Sequence, residues 1–397
     1  MSEGQDDLAI IAELEKVREP TQRWLAHHNM QEQSGVFRTT LSPDISTFSK
    51  PVITALEAHP RFKAVPNRFF GGKQIMLCPY HQATNLLRVA AETDSYAAVE
   101  WLKKVYATEV TGIRFVAEVY GLTTSERVTL NNGVTLVPLK DLPPSRNARD
   151  LVAQFQTFHF ISTRPMQQPI GAVLDLSQVK RSTESTEFRS DELERSIRAF
   201  TLADNAAPAI GVSWIDFVDP DLAKAEAFQM AIAPGSEGAF AAVAKNIDAD
   251  AIAWVDRYLQ LDSGVKRVCD IALERLNLAR RRISPGNKAI EGAICLEALL
   301  GDDTPHELVY KLKLRAALLL ETELEKRRAI QKSVGEFYSL RSHTVHGRVN
   351  KTGDAQLQAC ADRGLEICAR ALRIIVQRNE KPVPSDWELI GGVAPLN

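Results

Sequence analysis

The sequence predicts an α+β protein in which an N-terminal mixed α/β module is followed by an all-α, up-and-down helical bundle. Strand-like and helical stretches alternate with many Pro, Gly and Ser residues as far as about residue 235. After about residue 250 the sequence is helical almost throughout. A length of 397 residues exceeds what one compact core usually holds, so two domains are expected.

These changes in pattern set the domain boundaries. We expect a helical leader at 1–35, a mixed α+β module and candidate sensor at 36–240, a helical bundle at 250–380 and a tail at 381–397. In the leader, Leu8, Ile11, Leu14 and Val17 form an apolar stripe. Pro20 is expected to kink or divide this helix.

The composition predicts a soluble, cytoplasmic protein with no membrane partner. Lys and Arg number 48 against 50 Asp and Glu, so the net charge is close to zero. No apolar run approaches the roughly 20 residues that cross a bilayer, and the first residues are acidic where a signal peptide is basic. Residues 251–397 carry 23 Lys and Arg against 19 Asp and Glu, a mild excess that permits binding of a polyanion.

The cysteines predict free thiols rather than disulfides or a metal site. They are scattered and odd in number, at positions Cys78, Cys269, Cys295, Cys360 and Cys368. Cys78 and His81 have the spacing of half a zinc site, but no second half follows. Asp216, Asp219 and Asp221 are expected to be solvated turn residues at a strand end. With no phosphate-binding loop or nucleophile elbow in the sequence, no cofactor is predicted.

Local patterns predict the elements of the mixed module. The most specific is Asn132-Gly133 between two β-rich runs, a type I′ hairpin signature at 127–137. Helices are expected at 83–106 and 191–201, with a polar loop at 182–187 between strands and helix. Further strands are expected at 113–119, 158–161, 172–176 and 210–217.

Five helices are expected in the C-terminal part. Apolar periodicity and the Pro and Gly residues that interrupt it place them at 265–283, 288–300, about 305–320, about 323–347 and 355–377. Short connections between helices of this length favour antiparallel neighbours, which is the arrangement of an up-and-down bundle.

The stretch YSLRSHTVHG at 338–347 places an arginine and two histidines at the end of the fourth of these helices. Arg341 lies 11 residues after Ile330, so at about 100° per residue it returns to the buried face. A cation there needs an anion, an acidic partner or an interface.

His346 is harder to place, because on a regular helix it lies about 140° around from Arg341. The two act together if the helix ends at Gly347 and frees His346, or if a second chain supplies the missing half. The structural alternative is an Arg paired with a nearby Glu and a His at the negative end of the helix dipole.

This stretch resembles the signature of the HEPN superfamily, in which an Arg followed a few residues later by a His forms the active motif of metal-independent ribonucleases. The helical segments at 294–300 and 312–316 are similar to the Apea-like branch, and the likeness covers about residues 250–380. The resemblance implies a HEPN-like bundle, a homodimer whose two motifs line one cleft, and RNA as substrate.

The resemblance also implies catalytic roles for two residues. Arg341 would contact the scissile phosphate and stabilise the pentacoordinate transition state. His346 would act as general base or acid toward the ribose 2′-OH or the leaving 5′ oxygen. Because the attacking 2′-OH belongs to RNA, DNA cannot react in this way.

Neighbouring residues have supporting roles in this interpretation. Ser342 would position the phosphate or cap backbone carbonyls, and His343 would contact RNA. Arg348, Lys351 and the run 280–282 would follow the phosphate backbone, unless the arginines of that run only end a helix in solvent.

The sequence is compatible with three functions. The first is an RNA endonuclease of bacterial anti-phage defence or abortive infection, whose N-terminal module senses an unknown trigger. The second is a non-catalytic HEPN dimerisation or adaptor protein. The third is a toxin silenced by a partner or by nucleotide modification.

Overall fold

The computed structural model describes residues 3–33, 46–63, 65, 67–71, 73–145, 147–153, 168–183, 191–225, 244–302, 307–347, 352–380, 383 and 386. Over these residues, helices and strands share the N-terminal part, and the part after residue 248 is helical. The coarse α+β prediction, strands and helices first and helices last, is therefore confirmed.

Helices α1 Glu3–Gln33 and α2 Ser46–Ala58 come first in the chain, and α3 Pro79–Glu92 and α4 Ser95–Ala107 follow the first two short strands of the sheet. Helix α1 continues through Pro20, and Ile10 rather than the exposed Leu8 joins its buried stripe. The prediction of a single helix at 83–106 is wrong, because the helical conformation is interrupted between α3 and α4. Asp94 caps the second helix by accepting a hydrogen bond from the Ala97 amide at 2.7 Å.

A mixed-length antiparallel sheet forms the centre of the N-terminal part. Its strands are β1 Arg68–Phe70, β2 Lys73–Ile75, β3 Val110–Tyr120, β5 Val128–Thr129, β6 Thr135–Pro138, β7 Ile170–Ser182 and β8 Ala209–Phe217, while β4 Leu122–Thr123 and β9 Lys245–Asn246 form a separate parallel pair. The order is β2-β1-β7-β3-β8, and β6 also pairs with β7. Strands predicted at 113–119, 172–176 and 210–217 are confirmed, whereas 158–161 lies outside the described residues.

The two faces of the central strand β3 enter different cores. Ile113, Phe115 and Ala117 belong to the main core, which also contains residues of the four N-terminal helices. Val116 joins Trp214 in a smaller core under the 139–151 segment. This alternation follows from the two-residue period of a strand.

The hairpin at 127–137 exists, but its turn is not type I′. Only Gly133 has a positive φ (+87°), whereas type I′ needs positive φ at Asn132 as well. The Leu130 amide donates to Val134 O at 2.8 Å, which leaves a three-residue loop closed by a left-handed glycine. Asn132 instead donates through Nδ2 to Ser196 Oγ at 2.8 Å, so a distant contact holds the turn.

The C-terminal part has six described helices rather than five. Two short helices of the N-terminal part, α5 Asp191–Ala199 and α6 Pro220–Lys224, come before them in the chain. The six are α7 Ala249–Leu259, α8 Ser263–Arg281, α9 Pro285–Leu300, α10 Leu308–Leu320, α11 Leu324–Val345 and α12 Asp354–Arg378. The five predicted helices correspond to α8–α12, and α7 is additional. Helix α9 is central, because it packs against α8, α11 and α12.

A phenylalanine and two glycines fix how closely these helices approach. A Cβ on Gly364 of α12 would lie 2.1 Å from Cδ2 of Phe337 in α11, and one on Gly292 of α9 would lie 2.7 Å from its Cζ. Only glycine leaves room for the ring between the three helices. This packing holds α11, which carries the motif, against α9 and α12.

The bundle and the N-terminal part share one continuous core. Polar side chains of α8 and α12 also bind the turn that leads into β8. Asn277 Nδ2 donates to Pro208 O at 2.9 Å, and Arg373 Nε donates to Leu202 O at 2.7 Å. None of the described helices is both long and apolar enough to cross a membrane.

Candidate active site at the end of helix α11

Helix α11 ends where the sequence predicted. His346 occupies the C-cap with φ −90° and ψ 7°, and Gly347 follows with φ +62°. The His346 amide donates to Ser342 O at 3.1 Å, and the Gly347 amide donates to Thr344 O at 3.2 Å. A glycine in the left-handed region is a common helix stop.

The stop comes one residue too late to redirect His346. Its amide keeps the hydrogen bond to the residue four positions earlier, so its Cβ still leaves the backbone in the helical direction. His346 therefore lies about 140° around the helix from Arg341. Within one chain, the helix end does not turn the exposed His346 toward Arg341.

Arg341 is half-buried and lacks the acidic partner that a structural arginine would have. Its Nε is fully enclosed and has no hydrogen-bond partner, and none of the described residues forms an ion pair with its guanidinium. The Nη atoms of Arg341 are not enclosed, so they are the donors that an anion could reach.

Beneath Arg341, a tyrosine and a glutamate form a polar pair between α9 and α11. The Tyr338 hydroxyl lies 3.2 Å from Ala293 O and 3.1 Å from Glu297 Oε1. Burial raises the pKa of Tyr338, the Glu297 carboxylate raises it further, and the Arg341 guanidinium lowers it. Since burial dominates, Tyr338 stays protonated and acts as a donor, not as a base.

Ser342 and His343 are both half-buried, as is Thr344. The hydroxyl that bonds a helix carbonyl is that of Thr344, which donates to Leu340 O at 2.9 Å. The Ser342 hydroxyl has no hydrogen bond to a described residue, so it is free to meet a ligand. A Cβ on Gly286 would lie 2.3 Å from Thr344 Oγ1, which places the start of α9 against the end of the motif.

The candidate phosphate contacts divide into two groups. Arg348 and Lys351 lie outside the described residues. Arg280 is a structural residue, because it is half-buried and its Nη1 donates to Thr201 O at 2.6 Å and Ala206 O at 2.8 Å. Arg282 Nη2 donates to Glu291 at 3.3 Å.

Arg280 and Arg282 border an open groove of about 550 Å³. Its lining also includes Arg281, Lys288, Asp362 and Glu366. Lys288 pairs with Asp362 at 3.3 Å. The groove is therefore mixed in charge rather than uniformly basic, and it is less suited to a phosphate backbone than the arginine run in the sequence suggested.

The three aspartates that were expected to be solvated turn residues all have hydrogen-bond or ion-pair partners. Asp216 is buried within β8 and accepts from Trp214 Nε1 at 2.8 Å and Asn147 Nδ2 at 3.3 Å, so its assignment as a turn residue is wrong. Asp219 caps α6, and Asp221 pairs with Lys104 at 2.5 Å. The described residues contain no cluster of His, Cys, Asp or Glu suited to a metal ion.

The five cysteines are free thiols, and Cys269, Cys295 and Cys368 are buried. Sequence reasoning selected Arg341 and His346 as candidates and predicted the helix end, but it did not relate Glu297 to Tyr338.

Comparison with protein-family models, with curated proteins and with solved structures gave no match.

Proposed function

We propose that this protein is a metal-independent RNA endonuclease of HEPN type that cuts RNA by 2′-OH attack in a cleft shared by two protomers. The observation that carries the proposal is the half-buried guanidinium of Arg341, which has no acidic partner among the described residues and whose Nη atoms are not enclosed. A phosphodiester oxygen can accept hydrogen bonds from these Nη atoms.

In this mechanism, Arg341 binds the scissile phosphate and stabilises the charge that develops in the transition state. His346, exposed at the helix end, accepts the proton of the attacking 2′-OH or donates a proton to the leaving 5′ oxygen. The Ser342 hydroxyl, next to Arg341 in the chain, is a further donor for the phosphate. The expected setting in bacterial defence against phage follows from the family resemblance alone.

Two features support the shared cleft. Arg341 and His346 project about 140° apart on one helix, so a second copy is needed to place a His beside each Arg. The same end of the bundle carries exposed apolar side chains, since Ile283 is 85% and Val345 is 52% exposed. An apolar surface of this kind is suited to an interface with a second copy of the chain.

The test is RNA cleavage in EDTA by the wild type, Arg341→Ala and His346→Ala. We expect the wild type to cut and both variants to lose at least about 100-fold in rate, as removal of a transition-state donor or general acid does. Arg328→Ala is the matched control, because this arginine lies on the same helix and, among the described residues, pairs only with Glu325 at the surface. Full activity in Arg341→Ala or His346→Ala contradicts the assignment of that residue.

The second candidate function is a non-catalytic dimerisation or adaptor protein. The exposed Ile283 and Val345 favour it, because they serve an interface whether or not RNA is cut. Light scattering separates the outcomes when it is combined with the cleavage assay. A dimer that cuts no RNA supports the adaptor, and a strict monomer contradicts both functions.

A further inference from the structure

A cavity lies at the β8 end of the sheet, in the N-terminal part of the protein. Its volume is about 290 Å³, and its lining comes from α3, β3, the 144–147 segment, β8 and α6. At ~30 Å³ for each water molecule, this space holds roughly ten waters. It is therefore large enough for a small metabolite and too small for a macromolecule.

The residues that line this cavity divide into a buried floor and an exposed mouth. Asp216, Asn147 and Phe217 are buried, whereas Glu92 and Ala223 are exposed. A ligand that enters beside Ala223 meets the Asp216 carboxylate on the floor, where this residue is 8% exposed.

Asp216 is a buried carboxylate that has no cationic partner among the described residues. Its Oδ2 accepts from Trp214 Nε1 at 2.8 Å and its Oδ1 from Asn147 Nδ2 at 3.3 Å, so two neutral donors serve a group with about four acceptor positions. A buried carboxylate is normally paired with a cation, because its removal from water is costly. Asp216 therefore keeps acceptor positions and negative charge for a ligand in the cavity.

Arg114 is the cation placed to neutralise Asp216, but it pairs with a different acid. In the register of the sheet, Arg114 of β3 lies between Asp216 of β8 and Asp175 of β7. Its Nε and Nη2 donate to the two Asp175 oxygens at 2.6 and 3.1 Å, although the Asp175 side chain is 56% exposed. An exposed ion pair contributes little to stability. The buried acid is thus left without a charge partner, and the cationic group of a ligand would take that place.

The other charges of the lining favour a ligand that also carries an anionic group. Lys224 and Glu92 pair with each other at 3.2 Å, and Arg88 of α3 supplies a further positive charge. A small zwitterion complements both Arg88 and Asp216. An amine without an anionic group gains nothing from Arg88 and Lys224 and is repelled by them.

We propose that this cavity binds a small zwitterion of the amino acid class, with its ammonium group on the Asp216 carboxylate and its own carboxylate toward Arg88. The site is independent of RNA cleavage and goes beyond the proposed function. It gives a ligand class to the N-terminal module, the candidate sensor.

The first test is isothermal titration calorimetry of the full chain with each of the common L-amino acids in turn. We expect one or more of them to bind. For each that binds, the matched amine without the carboxylate and the matched acid without the ammonium group should bind at least about tenfold more weakly. Failure of every amino acid to bind overturns the proposal, and so does a matched amine that binds equally well.

Two variants then locate the binding. Asp216→Asn removes the charge but keeps the size of the side chain, and it should weaken binding at least about tenfold. Ala223→Trp fills the mouth without touching the carboxylate, and it should weaken binding to the same extent. Ala355→Trp is the matched control, because Ala355 is an exposed residue in the first turn of α12 and does not line the cavity.

Wild-type affinity in Ala223→Trp, or in a folded Asp216→Asn, overturns the site. Thermal unfolding of each variant identifies a folding failure. If Asp216→Asn fails to fold, Ala223→Trp decides the result, because its substitution lies at an exposed position.

Discussion

Nη1 of Arg280 lies 2.6 Å from the carbonyl oxygen of Thr201, so the last turn of α8 is bonded to the turn that precedes β8. The same atom also donates to Ala206 O at 2.8 Å. Burial lowers the pKa of Arg280 to about 10, which still leaves it charged near neutral pH. This arginine ties the bundle to the sheet through its hydrogen bonds to backbone carbonyls.

Replacing Arg280 by Ala is expected to destabilise the protein by about 2–4 kcal/mol. The change removes two charged hydrogen bonds and leaves carbonyl oxygens without a partner. Urea unfolding measures the loss. The surface variant Arg328→Ala should stay within about 0.5 kcal/mol of the wild type, because exposed ion pairs contribute little. Equal effects in the two variants contradict the structural role of Arg280.

Gly364→Ala is expected to cost about 1–3 kcal/mol, since the new Cβ would lie 2.1 Å from the Phe337 ring and overpack the core. Gly264→Ala is the matched change in another helix, where nothing lies within 4 Å of the added atom. That variant should be neutral or slightly stabilising, by up to about 1 kcal/mol. Thermal unfolding compares the two, and an unchanged Tm for Gly364→Ala contradicts the close packing around Phe337.

The buried carboxyl group of Glu118 is expected to make the stability of the fold depend on pH. Burial raises the pKa of this carboxyl above 4.5, although Tyr120 Oη at 2.7 Å and the Val212 amide at 3.1 Å favour the charged form. As pH rises past 4.5, the unfolded state releases the proton first, so the folded state loses stability until its own carboxyl ionises. Glu118→Gln should remove this component.

The measurement is urea unfolding of the wild type and Glu118→Gln at pH values from about 4 to 7. The free energy of unfolding of the wild type, relative to the variant, should fall as the pH rises through this range. A relative stability that rises with pH would mean that hydrogen bonding outweighs burial at Glu118.

The helical elements were predictable because apolar periodicity and Pro or Gly stops are local signals. Gly347 ended α11 as expected, and α8–α12 follow the predicted ranges. The break at Asp94 was missed although a local signal was present, since Glu92, Thr93 and Asp94 are polar and exposed and Asp is a common helix N-cap. The turn at Asn132 was misread because a bond to Ser196, 64 residues away, holds it.

The candidate site was partly predictable for the same reason. Periodicity placed Arg341 away from the solvated face of its own helix, and the half-buried side chain agrees with this. The relation of Glu297 to Tyr338 depends on how α9 packs against α11, and the two residues are 41 positions apart. No local pattern carries that information.

The central claim is that Arg341 of one protomer acts with His346 of another, and subunit complementation tests it most directly. Arg341→Ala and His346→Ala chains are coexpressed with different tags, and RNA cleavage in EDTA is compared with that of each variant alone and of the wild type. Each variant alone should be inactive. The mixture should recover about a quarter of the wild-type rate, because half of randomly formed dimers are mixed and each has one complete site of two. An active wild type with an inactive mixture would contradict the shared cleft.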